Sequence, residues 1–234
     1  MTDDAELRGL DPCDLLDQES ARLAAHLSDL PASGWSARSR CPGWSVRDVV
    51  AHLAASEDYH HACLAGTVRA FTEDVEARGG TDLTRANELG IADRAALTPE
   101  QLVAAWRSDN AETRRGFRDR GDGLVDTSVG DYPCRWQAFH VAGELAVHAD
   151  DIFVPITETE REARRTWRTR FSRFALREAK PDLDVEVEAG RTRVVGDGVD
   201  VAVEDDELVD SVAGRLDAES TLDPTARAAL STMP

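Results

Sequence analysis

Between Trp136 and Asp151 the chain reads WQAFHVAGELAVHADD, with ionisable residues at regular intervals. On a helix turning about 100° per residue, His140, Glu144 and His148 stack on one stripe, with Gln137 and Asp151 beside them. Val141, Leu145 and Ile152 form the adjoining apolar stripe, so the ionisable groups line the edge of the face that should be buried. Burial there is costly unless these groups pair or bind a metal. A glutamate and a histidine at i and i+4 are stacked neighbours and can hold one cation between them. The same spacing also describes a solvated polar face or core histidines satisfied by hydrogen bonds, and this helix alone leaves the readings open.

A second histidine-bearing stretch, CPGWSVRDVVAHLAASEDYHHACLAG, runs from Cys41 to Gly66. Pro42-Gly43 makes a turn, Trp44 anchors it, and Ser45 with Asp48 three residues on has the pattern of a helix cap. Val46, Val49, Val50 and Leu53 make a core face. His52 lies on its edge, in a stripe with Ser56, Tyr59 and Cys63. A single histidine in such a place also fits a satisfied structural role. At least one of His60 and His61 is expected at the surface.

The elements that must position these groups are helical. Asp11-Pro12 opens a helix with Leu15, Leu16, Leu23, Leu27 and Leu30 at helical spacing, and residues 31–34 end it. Thr98-Pro99-Glu100 caps another, with Leu102, Val103 and Trp106 inward. Residues 72–98 have weak periodicity and several breakers, which predicts a functional covering loop. Gly121, Gly123 and Gly130 break the chain before the Trp136–Asp151 helix. Four helices, each apolar on one face, predict a four-helix bundle, a fold whose facing helices assemble metal sites in the core.

After Thr159 the pattern changes. An arginine-rich helix carries Trp167, Phe171 and Phe174 inward, and its arginines are expected to pair with the bundle or line an anion site. Beyond Pro181, LDVEVEAG, RTRVVGDG and VDVAVEDD alternate with period two between glycine turns and read as three strands. ELVDSVAGRL and LDPTARAAL return to helical spacing. The expected class is therefore mainly α: a helical bundle over 1–157 and a small α/β appendage over 158–234, without a cofactor of its own.

Composition narrows the partners. Hydrophobic residues make up 41% and charged residues 31% of the 234, as in a soluble globular protein. A formal net charge of −18 argues against a nucleic-acid or anionic-membrane partner. The acidic, polar start MTDDAELRGLD predicts no secretion signal, and no apolar run approaches the roughly 18 residues that span a bilayer. Cys13, Cys41, Cys63 and Cys134 lack C-x-x-C spacing and read as reduced thiols. A cytoplasmic monomer or homodimer is expected.

CPGWSVRDVVAHL (Cys41 to Leu53) and GELAVHADDI (Gly143 to Ile152) resemble the two signature stretches of the mycothiol-dependent maleylpyruvate isomerase family, part of the DinB-like superfamily of metal-binding bundles. The resemblance covers the bundle through about residue 155. It implies a DinB-like four-helix bundle with a divalent metal, usually Zn2+, on His52, Glu144 and His148. Such a set leaves a position open, the pattern of a catalytic and not a structural site. Asp151 matches the family's aspartate after the second histidine, with an outer-sphere or helix-end role. Ala213-Gly214-Arg215 resembles the helix end whose arginine helps hold an anionic substrate, which makes Arg215 the candidate catalytic residue. Val141-Ala142-Gly143 precede Glu144 where the better-known isomerases carry an arginine, a departure that bears on the substrate. The implied chemistry is activation of a low-molecular-weight thiol, mycothiol as cosubstrate, for addition to a small electrophile, as an isomerase or a thiol S-transferase. Two other classes stay open: a metal-dependent hydrolase on the same bundle, and a non-catalytic metal-binding or regulatory protein.

Overall fold

The computed structural model describes residues 3–232; residues 1–2 and 233–234, the outer ends of the two expected domains, lie outside the described residues. The contacts divide the chain into two compact units, 11–155 and 156–234 joined by 1–10.

In the first unit, α1 (Pro12–Asp29), α3 (Val46–Ala65), α6 (Pro99–Arg120) and α7 (Cys134–Asp151) form the bundle, with the short α2 (Ala32–Trp35) between the first two. Their starts are fixed locally. Asp11 accepts from the Cys13 and Asp14 amides ahead of Pro12. Ser45 and Asp48 close a reciprocal capping box on α3, and Thr98 and Gln101 do the same on α6. α1 packs on α7 and α6, α3 packs on α6, and α7 also touches α3. Leu16, Leu23, Val49, Val50, Leu102, Trp106, Phe117 and Phe139 fill the core between them.

Two features differ from the expectation. Residues 72–98 are not a loop: they hold most of α4 (Val68–Ala77) and all of α5 (Leu83–Asp93), which Asp82 caps by accepting from the Arg85 amide. α5 buries no residue and α4 buries Val68 alone; α4 does place Val68, Phe71 and Val75 at helical spacing, but the helix is short and the breakers Gly79 and Gly80 follow it directly. α5 is nonetheless pressed onto α3: a Cβ added at Gly90 would meet Ala55 Cβ at 2.6 Å. The glycine-broken stretch before α7 is a hairpin of β1 (Leu124–Thr127) and β2 (Gly130–Pro133), with Gly130 at φ +96° in its turn.

In the second unit, the long helix α8 (Glu158–Ala179) precedes an antiparallel sheet of β3 (Asp184–Glu188), β4 (Arg191–Gly196) and β5 (Val199–Val203) in that order. Val194 on β4 faces Val185 on one side and Val201 on the other. α9 (Asp205–Val212) and α10 (Pro224–Leu230) complete the unit around a core of Leu176, Leu183, Val194, Val203, Leu208 and Leu230. Residues up to 10, grouped with the bundle in the sequence reading, belong here instead. Glu6 joins Arg173 at 3.0 Å and Arg177 at 3.0 Å, and Arg170 donates to the Arg8 carbonyl at 2.7 Å. Arg170, Arg173 and Arg177 of α8 thus find partners within their own unit. No described helix is long and apolar enough to cross a membrane.

Candidate metal centre

His52 comes from the middle of α3, Glu144 and His148 from the last turns of α7, and the bundle brings them together. One ligand atom from each lies within 4.8 Å of the others. His52 Nε2 is 3.2 Å from Glu144 Oε1, and the His52 and His148 rings meet edge-on with centroids 4.9 Å apart. Trp44 tilts over His52 at 5.2 Å, so the tryptophan of the turn before α3 walls one side of the site. Both histidines are buried, whereas the Glu144 side chain keeps 30% of its surface exposed.

Behind His148 stands a second layer. Its Nδ1 donates to Asp151 Oδ2 at 3.0 Å, and the same oxygen accepts from Cys41 Sγ at 3.1 Å. Cys41 Sγ lies 3.9 Å from His148 Nδ1, so Cys41, His148 and Asp151 form a further convergent group among the described residues. The Arg40 amide donates to the Asp151 carbonyl at 2.9 Å and ties the loop before α3 to the end of α7. With Nδ1 occupied, His148 has Nε2 left as its donor atom, the arrangement in which an outer carboxylate fixes a ligating imidazole.

Glu144 Oε1 also accepts from Ser56 Oγ at 3.1 Å, and Oε2 lies 3.8 Å from His60 Nε2. Burial alone would raise its pKa. The hydrogen bond to His52 and the charges of His52, His60 and His148 outweigh that and hold the carboxyl well below the usual range. Two imidazoles and one carboxylate, facing one another with an outer carboxylate already in place, fit the donor chemistry of a divalent ion such as zinc.

The structure separates other sequence candidates from this cluster. His140 Nε2 pairs with Tyr132 OH at 3.1 Å, and His61 Nε2 lies 3.1 Å from the Asp109 carbonyl. His60 is buried and reaches Glu144, a contact absent from the sequence reading. Its signal was present: His52, Ser56 and His60 follow at four-residue intervals. Cys41 carries no such signal, because its partners lie more than 100 residues away in sequence. Burial pushes the Cys63 and Cys134 thiols up to about 11, which makes them inert near neutral pH. Arg215 is half-buried at the end of α9, after Gly214 at φ +65°, with its amide on the Asp210 carbonyl at 2.7 Å. Its Nη1 donates to the Ala213 carbonyl at 3.3 Å.

Residues 16–153 match the family model described as the mycothiol maleylpyruvate isomerase N-terminal domain. The chain belongs to this family. Two solved structures share its fold. One is a mycothiol-dependent maleylpyruvate isomerase, 16% identical with a TM-score of 0.64 over 92% of each chain. The other is a histidine-to-alanine variant under the same name, 16% identical with a TM-score of 0.51 over 72% of this chain and 68% of that one. No curated protein matches the chain. The helical bundle followed by a small C-terminal α/β unit is therefore the fold this chain shares with that maleylpyruvate isomerase.

Proposed function

We propose that this member of the family is a divalent-metal enzyme, with zinc as the expected ion on His52, Glu144 and His148. It activates mycothiol or a related low-molecular-weight thiol for addition to a small unsaturated electrophile. The observation that supports this reading is the meeting of three donors from two helices, with Asp151 already holding the outer nitrogen of one of them. When bound, the cation would acidify a thiol beside it, so that a group mostly protonated near neutral pH reacts as the thiolate.

The chain's own residues supply the rest. Asp151 keeps the His148 proton on Nδ1, and Ser56 and His52 fix the Glu144 carboxylate through Oε1. Trp44 shields His52 from water on one side. The thiol proton passes to solvent, and a carbon–sulfur bond forms to the unsaturated carbon as the C=C π pair shifts onto the conjugated carbonyl oxygen. In an isomerase-like outcome the adduct rotates and the same bond breaks, returning the thiol. In a transferase-like outcome the neighbouring carbon takes a proton and the thioether departs. An acidic electrophile needs a cation to orient it, and we assign that role to Arg215, whose planar fork matches a carboxylate in two hydrogen bonds.

Elemental analysis of the purified protein, followed by turnover assays on maleylpyruvate and on generic electrophiles with and without mycothiol, tests the reading. About one ion per chain and turnover that requires both metal and thiol are expected. Turnover with no added thiol would replace it with metal-dependent hydrolysis, and protein that takes up no metal would end it. Arg215→Ala should keep its metal and lose at least about tenfold in kcat/KM, or roughly 1.4 kcal/mol.

A further inference from the structure

Glu144 is held by one face of one helix. His52, Ser56 and His60 lie at four-residue intervals on α3, and all three reach the same carboxylate: His52 Nε2 and Ser56 Oγ approach Oε1 at 3.2 and 3.1 Å, and His60 Nε2 faces Oε2 at 3.8 Å. Two of these side chains converge on Oε1. His60 is the residue opposite Oε2, and nothing in the proposed ligand set accounts for it.

His60 is 4% exposed, and its Nδ1 is buried with no hydrogen-bond partner. Oε2 of the Glu144 carboxylate can only accept, so the atom of His60 that can favour it is a protonated Nε2. The ring cannot easily turn away, because Tyr59 and Phe117 pack on it with centroids 5.8 and 6.4 Å distant. One turn earlier on α3, the buried Glu57 accepts from Asn110 Nδ2 at 2.8 Å and Thr113 Oγ1 at 2.6 Å, which pins this part of α3 against α6. The N–H of His60 is thus presented from a fixed backing.

We propose that His60 is a positioning residue for Glu144: its Nε2 side faces Oε2 across 3.8 Å, longer than a direct hydrogen bond, and its polar attraction keeps the carboxylate turned toward His52 and His148, so that zinc binds to a preformed set of donors. The inference rests on the metal reading above. It concerns a residue outside the ligand set, and the partners that fix a ligating side chain typically contribute about 10–100-fold in metal affinity.

The test measures Zn2+ affinity by competition with a chromophoric chelator, together with thermal melting of the metal-free full chain. His60→Phe keeps the ring packing and removes the donor; His60→Gln keeps a donor near the Nε2 position. The Phe variant is expected to bind Zn2+ at least about tenfold more weakly while its metal-free melting temperature holds or rises, because an unpartnered polar atom has gone. The Gln variant should recover most of the affinity. A purely structural role would instead lower the melting temperature and leave the affinity of the folded fraction unchanged. If the Phe variant does not fold, His60→Leu is judged by the same affinity criterion. Wild-type Zn2+ affinity in the donor-less variant, with binding lost in His148→Ala, overturns the role of His60 alone. Retained binding in His148→Ala overturns the metal reading and this inference with it.

Discussion

The two units of the chain treat charge in opposite ways. In the bundle, Glu19, His52, Glu57, His60, His148 and Asp151 are all buried, and among the described residues every buried glutamate, aspartate and histidine lies there. In the C-terminal unit the central cluster is Ala, Leu and Val, Trp167 and Phe174 are buried beside it, and Arg164 is the one buried charged residue among those described. Its ion pairs are peripheral, such as Arg193 with Asp200 and Arg191 with Glu204. Burying ionisable groups is unfavourable unless something compensates. The bundle therefore spends part of its interior on groups that a pure folding problem would leave outside, which is the mark of a site. The C-terminal unit is assembled as a scaffold, and its candidate chemical group, Arg215, is half-buried just past the end of α9.

The largest expected effect sharpens this contrast at its centre. His148→Ala should reduce bound metal from about one ion per chain to background and abolish turnover, since two donors remain where a catalytic site uses three. Metal analysis of wild type and variant side by side decides it; equal content in both would move the ion elsewhere. Next in size is a lesion in the other unit. Leu208 is fully buried in the apolar core, and Leu208→Ala should destabilise that unit by about 2–5 kcal/mol, read by denaturant unfolding, while metal content stays at the wild-type level. If this variant lost its metal as His148→Ala does, the division of labour between the units would be wrong. Smaller again is Asp151→Asn, which leaves the ligands in place and disturbs the carboxylate on His148 Nδ1 and Cys41 Sγ. A drop of about 10–100-fold in metal affinity with an unchanged fold is expected, measured by chelator competition.

Much of the site could be read from the chain because its parts are local and periodic. Glu144 and His148 are i and i+4, and the phase of α3 from its Ser45–Asp48 cap puts His52 on the edge of the core face. The three strands were legible for the same reason, since alternation between glycine turns has few other readings. What escaped was tertiary. Cys41 joins Asp151 only through the packing of a loop on the end of α7. His60 shares the stripe of His52 and Ser56, but two adjacent histidines look like surface residues until the partner helix is in place. α4 and α5 escaped for a different reason: each is short, and the glycines at 79 and 80 between them break the helical spacing of Val68, Phe71 and Val75 before it can repeat. The attachment of residues up to 10 to the C-terminal unit depends on Glu6 meeting arginines more than 160 residues away, which no local pattern encodes.

The smallest effect is a difference in sign between two glutamates, one in each unit. Burial pushes the Glu57 carboxyl up, and its hydrogen bonds to Thr113 and Asn110 and the nearby His60 only partly offset this. For Glu6, burial also opposes ionisation, but the hydrogen bonds and charges of Arg173 and Arg177 outweigh it and bring its pKa below the ordinary value. Linkage then gives opposite slopes. Folded Glu57 holds its proton to higher pH than the unfolded chain does, so the fold gains stability there as pH falls from neutral toward about 4.5. Folded Glu6 releases its proton more readily, so its contribution is complete above about 4.5 and is lost as pH falls through its lowered value. Melting temperatures of Glu57→Gln and Glu6→Gln, each taken relative to wild type from pH 7 to pH 3.5, should therefore move in opposite directions. The Glu57→Gln difference should fall as the solution is acidified, because wild type gains what the variant already has. The Glu6→Gln difference should rise, because wild type loses an interaction, worth about 1 kcal/mol, that the variant never had. Parallel slopes would mean that the buried glutamate of the bundle is as well compensated as the paired one of the scaffold, and would remove the physical basis for reading the bundle interior as a functional one.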